Sequence, residues 1–169
     1  MVKNLYQEKK KQNCCSTECQ NKYRQIVNYT KKFNCSENEI EKYKILFSIY
    51  KKQCKFTFSV SQYNDEFNFS LIKENGWYSA SNHGNNLSGV SRDHRFSINE
   101  GFKQKIDPYF LSHPANCELI LQKDNSSKHD KCSLTKEELY EKVKEWNEKY
   151  GEYENKINYE LLNEFKVLN

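Results

Sequence analysis

The chain reads as an α+β protein, with a small antiparallel sheet and a strand–loop–strand–helix core flanked by amphipathic helices. Three observations predict it. Apolar residues recur at helical spacing over residues 36–54 and again from Leu134 to Tyr150. Two short stretches, Lys55 to Val60 and Glu66 to Leu71, alternate apolar and polar at period two. Two more strand-like runs, Val90 to Arg95 and Cys117 to Gln122, are separated by an irregular passage, and a short helix opens just after the second.

Each element has a local cause. Over residues 36–54, Ser36 and Glu39 form a capping box. Ile40, Tyr43, Leu46, Phe47 and Tyr50 then share one helix face, and Lys42, Lys44, Lys51 and Lys52 occupy the rest. Asn64-Asp65 is a turn signal between the two alternating stretches, so they are expected to pair as a β-hairpin. Asn75-Gly76 marks another turn, and residues 79–89 are a polar Ser/Asn/Gly loop containing His83. A short helix is expected within Ser97 to Asp107. Asp107-Pro108 and His113-Pro114 then bracket the loop that delivers Asn116. Farther on, Thr135 caps a helix, Glu138 closes its capping box, and Leu134 staples to Leu139. Leu139, Val143, Trp146 and Tyr150 form its apolar stripe, and Gly151 stops it. Ile157, Leu161, Leu162, Phe165 and Leu168 suggest a second carboxyl-terminal helix.

A chain of 169 residues suffices for one compact domain with an extension. It is polar, with 36% hydrophobic residues and a mean hydropathy of −1.03. The 14% aromatic content points to a core of Tyr, Phe and Leu. No apolar run approaches the ~20 residues of a membrane span and no signal peptide opens the chain, so a soluble intracellular protein is expected. Charge is unevenly spread. Residues 1–60, a Cys-containing arm and helix, hold 13 Lys/Arg against 5 Asp/Glu, net +8. Residues 61–132, the β-rich segment and core, are net −1, and the carboxyl-terminal helices of 133–169 are net −3. A basic segment of this kind neutralises phosphates in nucleic-acid proteins, although Lys-rich helices are also simply solvated.

Seven cysteines at irregular spacing do not form a secreted disulfide framework. The segment Cys15-Ser-Thr-Glu-Cys19 resembles one knuckle of a four-Cys zinc ribbon. A structural Zn²⁺ on Cys15 and Cys19 would need other thiolates, with Cys35 and Cys54 the remaining candidates upstream of the core. Reduced thiols are the alternative. Cys117 and Cys132 read as small apolar residues.

The residues that carry chemistry cluster from Gly89 to Cys132, and all four histidines fall between His83 and His129. Phosphodiester hydrolysis needs an activated water, a cation on the developing and leaving oxygens, and a group that holds the phosphate. Asp93 offers a carboxylate and Asn125 an amide oxygen, which suits a hard ion such as Mg²⁺ or Mn²⁺. His94 can take a proton from water if another group fixes its tautomer, and Asn116 is the candidate for that. Lys128, one turn beyond Asn125, and Arg92 would meet phosphate. His83 and His113 read as structural.

An adjacent Asp93-His94, a lone Asn116 in H-P-A-N-C and a second asparagine, Asn125 in D-N-S-S-K-H-D, resemble the HNH motif of the ββα-metal nucleases, of the phage and homing type. The resemblance covers Gly89 to Cys132. It implies a ββα-metal core, with His94 as general base, Asn116 as its orienting residue, and Asp93 and Asn125 as ligands of the divalent ion. His129 competes with Asn125 for the third position. The implied activity is metal-dependent endonucleolytic cleavage of double-stranded DNA. One chain would nick one strand, and a homodimer would cut both. The rival expectations are a non-catalytic nucleic-acid-binding protein with a zinc-knuckle-like amino terminus, and an RNA-directed nuclease.

Overall fold

The computed structural model describes residues 16–80, 85–155 and 157–160. Lys9 to Lys11, Cys14, Cys15, His83 and the expected helix through Leu161, Leu162, Phe165 and Leu168 lie outside the described residues. Among those described, the chain is α+β, with seven α-helices and one two-stranded antiparallel sheet. It divides into two compact units, residues 1–45 and 46–169.

The first unit holds helix α1 (Thr17–Phe33) and the start of α2 (Ile40–Gln53). The described part of the expected arm is therefore helical. The Ser16 side chain caps α1 by accepting from Cys19 N–H at 3.1 Å. Asn34 closes it in the left-handed region at φ 51°, which asparagine tolerates better than most residues. Tyr29 stacks on Phe33 and Phe33 on Tyr43, with centroids 5.7 and 5.8 Å apart. The predicted capping box opens the next helix: Ser36 N–H donates to the Glu39 carboxylate at 3.0 Å. The first turn there, Glu37–Glu39, is 3-10.

The second unit is built on β1 (Val90–His94) and β2 (Cys117–Leu121). Their register pairs His94 with Cys117, Asp93 with Glu118, and Ser91 with Ile120. The insertion between them carries α4 (Ile98–Lys103) and α5 (Pro108–Ser112), preceded in the chain by α3 (Phe69–Asn75). Ser97 caps α4 by accepting from Glu100 N–H, and Asp107 caps α5 with Pro108 at its first position. Helix α6 (Gln122–Lys128) follows β2 directly and packs on both strands. Helix α7 (Lys136–Tyr150) starts at Thr135 with the expected capping box and buries Leu139, Val143 and Trp146. The fourth residue of the predicted stripe, Tyr150, is exposed. Burying a side chain such as Leu139 contributes about 2 kcal/mol.

The core of this unit is aromatic, as the composition predicts. Phe102 meets Phe47 and Tyr50 edge-on at 5.0 and 5.4 Å. Fully buried Tyr50 donates its hydroxyl to Ile106 O at 2.7 Å, and burial holds that hydroxyl protonated. Gly101 is required beside it, because a Cβ there would lie 2.8 Å from the Tyr50 hydroxyl.

The expected hairpin over residues 55–71 does not form. Residues 60–62 make a 3-10 turn, and Asn68 caps α3 by accepting from Ser70 N–H at 3.2 Å. Phe58, Val60 and Phe67 are nonetheless buried. Segment 54–60 docks on β1 through side chains instead of a ladder. Arg92 Nη1 donates to Phe58 O at 3.0 Å, and His94 Nε2 bonds Cys54 O at 2.9 Å.

Candidate active site

Alternation along β1 sends its side chains to two faces. Ser91 and Asp93 face α6. Val90, Arg92 and His94 face the other way, toward segment 54–60. The two halves of the predicted site therefore leave the same strand end on opposite sides.

On the α6 face, Asn125 and Lys128 are one helical turn apart and reach β1 together. Asn125 Nδ2 donates to Ser91 Oγ at 3.1 Å. The Lys128 ammonium donates to Asp93 Oδ2 at 2.5 Å, Glu118 Oε1 at 2.7 Å and His94 O at 3.0 Å. Lys128, Asp93 and Glu118 side chains are 15, 14 and 17% exposed, so little water screens these contacts. Burial works against the Lys128 charge, but the two carboxylates outweigh it and hold its pKa above the ordinary value. Burial likewise pushes Glu118 up, and its bonds to Lys128 and Ser133 with the nearby Arg95 bring it below the usual carboxylate range. Arg95 Nη1 lies 3.7 Å from Glu118 Oε2, and Ser133 Oγ donates to Oε1 at 2.9 Å.

Lys128 is thus engaged by carboxylates in this structure and not displayed toward solvent. Glu118 was not among the expected site residues. Its signal in the sequence is a single charge inside the apolar strand C-E-L-I-L, but only the register sets it opposite Asp93. Among the described residues, no three His, Cys, Asp or Glu side chains are grouped to hold a metal ion. The oxygens that converge from β1 and β2, those of Asp93, Glu118 and the His94 carbonyl, are hard donors, and the cation they surround is the ammonium of Lys128. Asp93 and Glu118 therefore fit a hard divalent ion in chemistry and charge, whereas the contact Asn125 makes is its Nδ2 bond to Ser91.

On the opposite face, the His94 ring stacks on Phe56 with centroids 4.1 Å apart. A carbonyl oxygen only accepts, so the bond to Cys54 O puts a proton on His94 Nε2 and leaves the lone pair on Nδ1. Burial pushes the His94 pKa down to about 4, against weaker upward effects of Cys54 O and Asp93. The ring is neutral at physiological pH.

Asn116 was expected to orient His94, and it does not do so directly, because Cys54 is the acceptor. Instead Asn116, fully buried, clamps the insertion at the end of β1. Its Oδ1 accepts from Phe96 N–H at 2.7 Å, and its Nδ2 donates to Phe96 O and Leu111 O at 3.3 and 3.0 Å. Its own carbonyl accepts from Arg95 N–H at 2.8 Å. It therefore pins the chain just after His94. His113, also buried, accepts from Ala115 N–H at Nδ1 and bonds Asn147 Oδ1 through Nε2. Burial lowers its pKa to about 4, and its role is structural.

The remaining expected residues are dispersed. His129 is exposed, caps the end of α6 at φ 52° and makes no described contact with Asp93. Arg92 is exposed on the His94 face. Cys19 is exposed in the first turn of α1, whereas Cys54 and Cys117 are buried thiols. Burial raises the pKa of both, that of Cys117 to about 12, so neither is a ready thiolate ligand. Comparison with protein-family models, with curated proteins and with solved structures finds no match to this chain.

Proposed function

We propose that the chain is a metal-dependent endonuclease that hydrolyses DNA phosphodiesters at the end of β1. The observation that carries this is the convergence of the Asp93 and Glu118 carboxylates from the two paired strands on one cationic group, the Lys128 ammonium, with Asn125 one turn away on the same helix and bonded to Ser91 of β1. His94, with a fixed tautomer, follows Asp93 in the chain and carries its ring on the opposite face of the same strand end. Asp93 and Asn125, with Glu118 beside them, would hold Mg²⁺ or Mn²⁺. A bound ion supplies Lewis-acid stabilisation of the charge that develops on the phosphate and the leaving 3′-oxygen.

The chain's own groups do the rest. Cys54 O holds His94 with Nδ1 as the free base, and Nδ1 takes one proton from the attacking water. The anionic phosphodiester beside the ring raises its proton affinity from the depressed resting value. Lys128, once displaced from the carboxylates, remains on the helix lining the same crevice and pairs with the phosphate. Asn116 is a positioning residue that fixes the chain just after His94.

One observation favours a second reading. Lys128 already neutralises Asp93 and Glu118 without any ion, which is how a non-catalytic nucleic-acid-binding protein would finish this crevice. Labelled duplex DNA and RNA, incubated with protein in Mg²⁺, Mn²⁺ or EDTA, separate the possibilities. Ion-dependent cleavage of DNA is expected. Binding without cleavage in every ion transfers the chain to the second reading, and cleavage confined to RNA changes the substrate.

A further inference from the structure

On the His94 face, a wide groove of about 420 Å³ is lined by Thr57, Phe58, Ser59, Val60, Trp77 and Arg92. Two of these residues are unlike core. Trp77 keeps 45% of its surface exposed, yet its backbone is locked to β1. Val90 N–H donates to Gly76 O, and Tyr78 N–H to Val90 O, both at 2.8 Å. The approach depends on Gly89, where a Cβ would lie 2.4 Å from Tyr78 N and 2.5 Å from Trp77 C. A large indole is thus presented to solvent on a fixed base, which keeps the entropic cost of stacking on it low.

Arg92 is the second. It commits one guanidinium N–H to Phe58 O, and its guanidinium carbon lies 5.9 Å from the Phe58 ring centroid. Among the described residues no carboxylate pairs with it, in contrast to Arg95, which has Glu118. Four of its five N–H donors are left for a ligand. Arg92 is two residues before His94 on the same strand face, a displacement of about 7 Å, roughly one nucleotide along an extended strand.

We infer that this groove binds the nucleotide next to the cleaved phosphodiester, with its base stacked on Trp77 and its phosphate on Arg92. The ligand is identified by needing both features at once, a planar π-face and an anion. The inference rests on the nuclease proposal for its location, and its test does not require cleavage. Trp146 is buried, so quenching of tryptophan fluorescence by a bound base reports chiefly on Trp77.

The full chain is titrated in EDTA with oligo(dT) and with a mixed-sequence duplex, following fluorescence and the anisotropy of labelled DNA. The wild type should quench. Trp77→Ala should bind about tenfold or more weakly, Trp77→Phe should retain part of the affinity, and Arg92→Gln should lower the salt slope by about one. Circular dichroism confirms that each variant is folded. Wild-type affinity in Trp77→Ala, or DNA binding without quenching, overturns the inference even if the wild type cuts DNA. Trp77-dependent binding by a protein that cuts nothing in Mg²⁺ or Mn²⁺ sustains the groove and removes the nuclease. No DNA binding at all overturns both.

Discussion

Replacing Lys128 by Met keeps most of the side chain's length and packing while deleting the ammonium between Asp93 and Glu118. The two carboxylates are directly opposed across the β1–β2 ladder and would then repel each other in a site only 14 and 17% exposed. Three hydrogen bonds from the ammonium are lost, the two to carboxylates at roughly 1.5–3 kcal/mol each and a weaker one to His94 O, partly offset because the ammonium no longer has to be desolvated. The net cost is about 3 kcal/mol, or a fall in Tm of about 6–12 °C for a chain of this size. A divalent ion that takes the vacated position should restore it, since an ion at a hundred times its Kd adds about 2.7 kcal/mol. The assay is thermal unfolding of wild type and Lys128→Met in EDTA, then in Mg²⁺ and Mn²⁺. The ion should raise Tm more in the variant, where it no longer competes with an ammonium. An unchanged Tm in EDTA would refute the ion-paired lysine. A fall that no divalent ion repairs would refute the crevice as a metal site.

Two further outcomes follow from buried polar groups. Asn116→Ala leaves Phe96 N–H, Phe96 O and Leu111 O unpaired at a fully buried position and should cost about 4 kcal/mol in urea unfolding; a loss below about 1 kcal/mol would contradict the clamp. The pH dependence comes from His94 and His113, both pushed from 6.5 down to about 4 in the folded chain. Between those values the unfolded chain binds protons that the folded chain does not, so stability is fully present above about pH 6.5 and falls with acidification. From about pH 7.5 to about pH 5 each histidine should cost about 2 kcal/mol. Equal urea midpoints at the two pH values would show that neither imidazole is held neutral by burial.

Much of the second unit was legible in the sequence because its signals are local. Thr135 with Glu138 starts a helix where the cap chemistry demands, as Ser36 with Glu39 does in the first unit, whereas Asp107-Pro108, expected to bracket a loop, instead caps the short helix α5. The strand–loop–strand–helix order around Asp93, Asn116 and Asn125 was readable from short apolar runs between turn signals. The hairpin was not, because period-two alternation reports which side chains are buried, and Phe58, Val60 and Phe67 are buried. It does not report who satisfies the backbone, and there Arg92 and His94 side chains take carbonyls that a partner strand would have used. For the same reason the acceptor of His94 was invisible. Cys54 is 40 residues away in sequence and contributes a main-chain oxygen that carries no residue signature. Glu118 needed the strand register, which a 22-residue insertion between the strands conceals.

Plasmid nicking tests the nuclease proposal most directly, with wild type beside His94→Ala in Mg²⁺, Mn²⁺ or EDTA. The proposal predicts that wild type alone converts supercoiled DNA to open-circle or linear form, that EDTA abolishes this, and that His94→Ala still binds DNA. Equal cleavage by both proteins would contradict His94 as the base. DNA binding with no cleavage by either, in any ion and on plasmids of varied sequence, would contradict the nuclease itself.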